Sequence, residues 1–309
     1  MADVERIRVE THAARQRLDQ FLAQHGRWGS RSQVHRLIAE GCVRIDGQLA
    51  KSGALLRAGQ TISVQMIAAS VPAGVEAEAI PLNVIYEDDW ILVINKPAGL
   101  VVHPAPGNWR GTLVSALLHH WHGMRPGLDP QRPGIVHRLD KDTSGVLVIA
   151  KDVATLAHLG TQFRTREVEK QYLAFVWGRV SRASGIIAQP IGRNPVHRKR
   201  MAIRAGGRAA ETRFEVVERF DAVTLLRLFP KTGRTHQIRV HLAAIGHPIV
   251  GDAVYGRGRH PALSVSAGRQ ALHAEALVFR HPHTGARTQF TAVLPDDLVA
   301  LRRSCAHAA

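Results

Sequence analysis

The side chains with most chemical potential sit in one polar run, His137-Arg138-Leu139-Asp140-Lys141-Asp142-Thr143-Ser144, within residues 134–151. Ile135 and Val136 lead into it and the apolar stretch from Val146 to Ala150 follows it. The pattern reads as a loop laid across a rigid scaffold, where reactive groups are commonly held. His137, Arg138 and Lys141 are potential cations within three residues of Asp140, which favours its ionised form. An ionised, positioned carboxylate is a candidate nucleophile. The same run is also good turn chemistry, because Asp, Thr and Ser side chains cap backbone groups and Gly145 supplies positive φ. Local sequence leaves both readings open.

Other chemistry-bearing residues lie further along. Residues 170–177 alternate as a strand, with Gln171, Leu173, Phe175 and Trp177 on one face and Lys170, Tyr172, Ala174 and Val176 on the other. Tyr172 can stack on a nucleobase while its hydroxyl reaches a polar partner, or can serve as a half-buried strand tyrosine. His119 and His122 have the spacing that brings helix side chains together, but no cysteine pair or flanking carboxylate completes a metal set, so no metal is expected. Lys231-Thr232-Gly233-Arg234-Thr235 lacks the two glycines framing four residues of a phosphate-binding P-loop. It leads instead into a helix with Ile238, Leu242 and Ile245 on one stripe, ended by Gly246.

The elements that must position these residues follow from periodicity. Residues 1–15 are irregular, a frayed start or a short strand. Leu18, Phe21 and Leu22 predict one helix; Ser30 and Gln33 form a capping box for a second, carrying Val34, Leu37 and Ile38 and closed by Gly41. Val43 and Ile45 alternate into an Asp46-Gly47 turn, and residues 61–66 close a small module over residues 16–66. Its basic side chains include Arg31, Arg36, Arg44 and Lys51. Residues 67–81 turn small and acidic and are expected to be a linker. A second domain over residues 82–309 opens with a hairpin, 84–86 against 91–95, and contains helices near 112–120 and 156–163 and hairpins at 212–217/223–229 and 281–285.

The 309 residues carry a formal net charge of +16 and only two cysteines, Cys42 and Cys305. So few cysteines fit a reducing compartment, and no apolar stretch is long enough to span a bilayer, so a cytoplasmic location is expected. Residues 191–240 hold 12 Lys or Arg against 4 Asp or Glu, a net of +8 and half the excess. Such clustering points to a polyanionic partner, nucleic acid foremost. The loop with Arg198, Lys199 and Arg200 is a plausible RNA clamp.

His137-Arg138-Leu139-Asp140 with Thr143, Ser144 and Gly145, Lys170-Gln171-Tyr172, and residues 231–241 continuing to Gly251-Asp252 together resemble the RluA-type pseudouridine synthases in type and order. Arg17-Leu18-Asp19, Ser30-Arg31-Ser32-Gln33 and Gly41-Cys42-Val43 resemble the S4 RNA-binding domain. The resemblance implies an α+β protein: a mixed, largely antiparallel β-sheet catalytic domain with peripheral helices, preceded by a small α+β S4-like module. It implies an isomerase that needs no cofactor or metal and works on a uridine flipped out of its stack. Catalysis would fall to Asp140, Tyr172 and Arg234, with Tyr172 against the base, Arg234 paired to Asp140, and Arg138 filling the vacated space. Ser30, Arg31, Arg36, Arg198, Lys199 and Arg200 would bind RNA. The resemblance is strongest to members acting on large-subunit (23S) rRNA, which share the His-Pro-x-x-Gly-Asn stretch found at residues 103–108. That implies rRNA or the pre-ribosomal large subunit as partner, the helix 69 stem-loop as target, no membrane, and a monomer.

Two rivals stand beside this reading. Asp140-Lys141-Asp142-Thr143-Ser144 is close to the acidic loop of haloacid-dehalogenase-type phosphotransferases, which would require magnesium. A non-enzymatic ribosome-binding assembly protein would use the S4-like module and basic surface alone. Within the enzyme reading, other rRNA sites or tRNA are alternative targets.

Overall fold

A computed structural model describes residues 4–28, 31–65, 76–104, 109–122, 127–129, 132–197, 200–256 and 267–307. The N-terminal domain consists of β1 (Val4–Arg8), a short 3-10 turn (Thr11–Ala13), α1 (Leu18–Gln24), α2 (Arg31–Ala39), β2 (Val43–Ile45), β3 (Gln48–Leu49) and β4 (Thr61–Gln65). Its four strands form an antiparallel sheet in the order β1-β4-β2-β3. The irregular start therefore contains a strand: Val4 to Arg8 pair along Gln65 to Thr61, so the domain begins before residue 16. The predicted stripes are the core, with Leu18, Phe21, Leu22, Val34 and Ile38 packed on Val43, Ile62 and Val64. Gly41 ends α2 with φ +74, while the predicted cap Ser30 lies outside the described residues.

The second domain is built on a nine-stranded sheet. Its first strands and helices are β5 (Val84–Glu87), β6 (Ile91–Lys96), α3 (Leu113–His120), β7 (Ser144–Ala150), α4 (Val153–Thr165) and β8 (Glu169–Trp177). Then come β9 (Ser184–Ile187), β10 (Ile191–Arg193), β11 (Met201–Ile203), β12 (Thr212–Arg219), β13 (Val223–Pro230), α5 (Gln237–Ala244), β14 (Leu272–Arg280), β15 (Arg287–Thr291) and α6 (Asp296–His307). The order β5-β6-β7-β14-β8-β13-β12-β9, with β15 on β14, is antiparallel except for β7 beside β14. The fold is thus mixed α+β and largely antiparallel, as expected. β10 and β11 form a separate hairpin within what the sequence suggested was an open basic loop.

β7 explains the apolar run after the polar loop: all seven residues are buried. Val146, Val148 and Ala150 pack beside Leu159 of α4, and Leu147 and Ile149 beside Leu113 and Leu117 of α3. A strand covered on both faces needs no alternation. Truncating one such residue, Leu147→Ala, would cost about 2–5 kcal/mol. Parallel pairing with β14 needs close approach at Gly145, whose φ is +119 and where an added Cβ would meet the Ala274 carbonyl oxygen at 2.1 Å.

Of the expected linker, residues 67–75 lie outside the described residues, and residues 76–81 are docked, together with Leu82 just after them. The Glu78 N–H donates to the Ser115 carbonyl (3.1 Å), its carboxylate accepts from the Gly111 N–H (2.9 Å), and Ile80 and Leu82 pack beside Leu113 and Leu117. Two half-buried apolar side chains, with the Glu78 hydrogen bonds, are enough to tie down a short acidic segment that composition alone marks as solvated. No helix among the described residues is long and apolar enough to cross a membrane.

Candidate active site

Asp140 lies on a cleft of about 620 Å³ lined also by His137, Arg138, Tyr172, Arg234, His236 and Arg239. The polar loop that carries it is pinned almost residue by residue. The His137 Nε2 accepts from the Val148 N–H at 3.1 Å, and its ring stacks on Phe163 with centroids 4.7 Å apart. The Lys141 carbonyl accepts from the Gly99 N–H and the Lys96 ammonium, both at 3.0 Å. Arg269 donates to the Asp142 carbonyl (3.0 Å), Gln270 to Thr143 Oγ1 (3.0 Å), and Ser144 Oγ meets His273 Nδ1 at 3.0 Å. The loop therefore has rigid support from both flanks.

Lys96 is 0 % exposed, and its three protons match three carbonyls: Pro97 (2.7 Å), Leu100 (3.0 Å) and Lys141 (3.0 Å). Burial pulls its pKa down to about 7, partly opposed by Asp142. It is a structural tie between the turn after β6 and the Asp140 loop. His137 is not the neighbouring cation the sequence suggested. Burial, with Lys170 nearby, lowers its pKa to about 3, so it is neutral and acts as a hydrogen-bond acceptor.

The partner of Asp140 is Arg239, not Arg234. Arg239 Nη1 donates to Asp140 Oδ2 at 3.0 Å, while its Nε and Nη2 grip both oxygens of Asp252 at 2.7 and 2.9 Å. Asp252 also accepts from the N–H groups of Val254 and Tyr255 at 2.9 and 3.0 Å. Burial works to raise the Asp252 pKa, but Arg239 and these donors outweigh it and the net shift is downward. For Arg239, burial is likewise outweighed by Asp252 and Asp140, and its pKa rises. One buried guanidinium thus bridges an inaccessible carboxylate and a reachable one: the Asp140 side chain is 19 % exposed against 0 % for Asp252. A fork held bidentate on one side can aim its third nitrogen without freedom to rotate.

Arg234 sits in the turn before α5, where its backbone N–H donates to Gln237 Oε1 (3.0 Å) and its Nε to the Ala209 carbonyl (3.1 Å). The four residues between the two arginines include the start of the helix, and that turn carries Arg239, not Arg234, toward Asp140. A signal was available: an arginine set among Ile238, Val240 and Leu242 on a buried helix needs an acid, and Asp252 lies 13 residues on. His236 was also missed. It caps α5 in the left-handed region (φ 54), meets the Tyr255 hydroxyl at 2.8 Å, and holds Nε2 4.0 Å from Asp140.

Tyr172, half-buried on β8 between β13 and β14, lines the cleft. Burial, and secondarily the Asp140 charge, push its phenol far above the ordinary value. It therefore keeps its proton and offers a face and a donor rather than a base. Arg138 is exposed at the cleft. Of the other expected RNA contacts, Arg31 pairs with Asp19 at 2.7 Å and Arg200 is exposed in the connection between β10 and β11. Ser30, Arg198 and Lys199 lie outside the described residues, as does the side chain of Arg36. The acidic loop precedes β7 rather than following a strand, unlike a phosphotransferase loop. Among the described residues no group of three or more His, Cys, Asp or Glu could hold a metal.

A two-domain α+β chain with a basic cleft around a clamped aspartate has the build of an enzyme working on RNA. Residues 90–244 match the RNA pseudouridylate synthase family model and residues 16–62 the S4 domain model. The chain is 45% identical over 300 residues to the ribosomal large subunit pseudouridine synthase D of Nitrosomonas europaea, covering 96% of this chain and 86% of that one. It is 44% identical over 319 residues to the protein of the same name from Xanthomonas campestris, with 97% and 93% covered. Among solved structures it resembles human RNA pseudouridylate synthase domain containing 1, with a TM-score of 0.55 and 28% identity over 74% of this chain and 96% of that one. The chain belongs to the RNA pseudouridylate synthase family and is an isomerase with an N-terminal S4 domain.

Proposed function

We propose that this enzyme isomerises specific uridines of large-subunit rRNA to pseudouridine, the helix 69 stem-loop being the target, with Asp140 as nucleophile on a flipped-out nucleotide. The observation that carries this reading is the Arg239 bridge, which leaves one oxygen-bearing face of Asp140 open to the cleft while anchoring the other side. The reaction breaks the N1–C1′ bond, joins C1′ to C5 and moves the C5 proton to N1, so atoms balance without a cofactor. Extruding a loop uridine costs a few kcal/mol. Tyr172 stacks on the extruded base and Arg138 fills the space it leaves. The S4 domain and the basic surface supply RNA affinity, and the enzyme works as a cytoplasmic monomer on rRNA or the pre-ribosomal large subunit.

Support for the rRNA target comes from the two relatives named above. Pseudouridine mapping of large-subunit RNA by carbodiimide adducts, in cells with and without the protein, tests it. A lost cluster in the helix 69 loop, restored by the wild type but not by Asp140→Asn, is the expected result. Unchanged pseudouridine in all rRNA and tRNA would overturn the reading.

A further inference from the structure

Arg234, freed from the role of partner to Asp140, stands in a different company. Arg166, Lys170 and Arg208 line the same cleft. Among the described residues none of these four side chains has a carboxylate within ion-pair distance; Arg234 donates to the Ala209 carbonyl and Lys170 to that of Thr232 (3.3 Å). They also feel one another: Arg208 and Arg166 add to burial in lowering the Arg234 pKa, and Arg166 adds to burial in bringing Lys170 to about 8. Four cations gathered without acids destabilise the fold, and such gathering is expected where an anion is to be bound.

The backbone adds an independent observation. Arg166 ends α4 in the left-handed region, φ 66 and ψ 30, with its N–H on the Gln162 carbonyl. Glycine is the usual residue at such a helix end, because a Cβ is strained there. An exposed arginine occupies a strained position that opens on the cleft, which is the kind of outlier from which function is inferred.

We propose that Arg166, Lys170, Arg208 and Arg234 form a subsite for a backbone phosphodiester of the RNA beside the extruded uridine. This rests on the reading of the cleft as the uridine pocket and extends it: Asp140 meets the nucleoside and the four cations hold the chain next to it. Arginine forks suit a phosphate's oxygens, and such contacts fix register without reading sequence.

The test uses the full-length protein with Arg166→Gly, Arg208→Gln and the double substitution. Binding to in-vitro-transcribed 23S rRNA is measured over a potassium chloride series, alongside melting temperature and tritium release from [5-³H]uridine-labelled transcript. The double variant is expected to bind about 10–100-fold more weakly and to flatten the slope of log K against log salt by about 0.7 per lost contact. It should melt no lower than wild type, since strain and repulsion are both relieved, and keep kcat at saturating RNA within about twofold. Wild-type affinity and slope in the double variant, or a fall in melting temperature without loss of affinity, would overturn the proposal. A methylphosphonate linkage beside the mapped uridine should weaken wild-type binding and leave the double variant unaffected; equal weakening of both overturns the placement. If the wild type releases no tritium while the binding effects appear, the isomerase reading fails and the phosphate subsite stands.

Discussion

Asp19 in the N-terminal domain and Asp140 in the catalytic domain are both aspartates gripped by arginine, and they are built inside out relative to each other. Asp19 is 0 % exposed, and the groups that hold it, Arg17, Arg31 and His35, are 43, 53 and 44 % exposed. Burial alone would raise its pKa, but the two arginines outweigh that and hold it well below the usual range. At Asp140 the arginine is the buried member and the carboxylate faces the cleft. An acid beneath cations presents positive charge, and a cation beneath an acid presents a fixed negative oxygen. On the proposed function, the first arrangement suits adhesion to a polyanion and the second suits chemistry.

Substitutions should separate the two. Asp140→Asn keeps shape and removes charge, and tritium release should fall at least about a thousandfold, roughly 4 kcal/mol of barrier. Its RNA affinity should stay within about tenfold, or 1.4 kcal/mol. A variant that still turns over would remove Asp140 from the mechanism. Arg239→Met leaves Asp252 buried and unpaired, so denaturant unfolding should report a loss of about 3–5 kcal/mol along with loss of activity. Activity retained in a stably folded Arg239→Met would show that the bridge does not position Asp140.

The neutral histidine beside Asp140 gives a pH dependence. Below pH 6.5 the unfolded chain binds a proton at His137 that the folded chain refuses until about pH 3. Stability should fall as pH drops through that window, by at most about 1.4 kcal/mol per pH unit, and stay level above it. His137→Gln keeps an acceptor for the Val148 N–H and should flatten the slope; an unchanged slope would place the titrating group elsewhere. The smallest effect is expected at Asp19→Asn. Stability should drop by about 1–2 kcal/mol as charge-assisted hydrogen bonds weaken, and RNA affinity by up to about tenfold in filter binding. Its kcat at saturating RNA should match wild type, opposite to Asp140→Asn.

Much of this was legible because local order and chemistry coincide. The apolar run of β7 and the stripe of α1 announce their elements from the residues' own order. The alternation read in β8 is not its burial pattern, because Leu173 to Val176 are all buried between neighbouring strands and the core. Asp140 and Tyr172 were visible as residue types in a recognisable order. Arg239 was not, because two arginines five residues apart differ only in which side of a helix start they occupy, and that is settled by packing against Asp252. Residues 76–81 looked solvated because composition cannot show that Ile80, next to Leu82, finds the α3 face. Arg166 and Arg208 are 42 residues apart in sequence and have no shared pattern; only the fold brings them to one cleft.

The distances in sequence across the Asp140 loop also bear on how the enzyme is made. Asp140 is held by Arg239, 99 residues later, and the loop beside it by Arg269, whose bond to the Asp142 carbonyl spans 127 residues. Arg269 in turn grips Asp297 at the start of α6. As the chain emerges from the ribosome, the aspartate appears long before the two arginines that clamp it and its loop. A nascent or truncated chain that ends before Arg239 and Arg269 would therefore carry Asp140 without its clamp, with the N-terminal domain already complete.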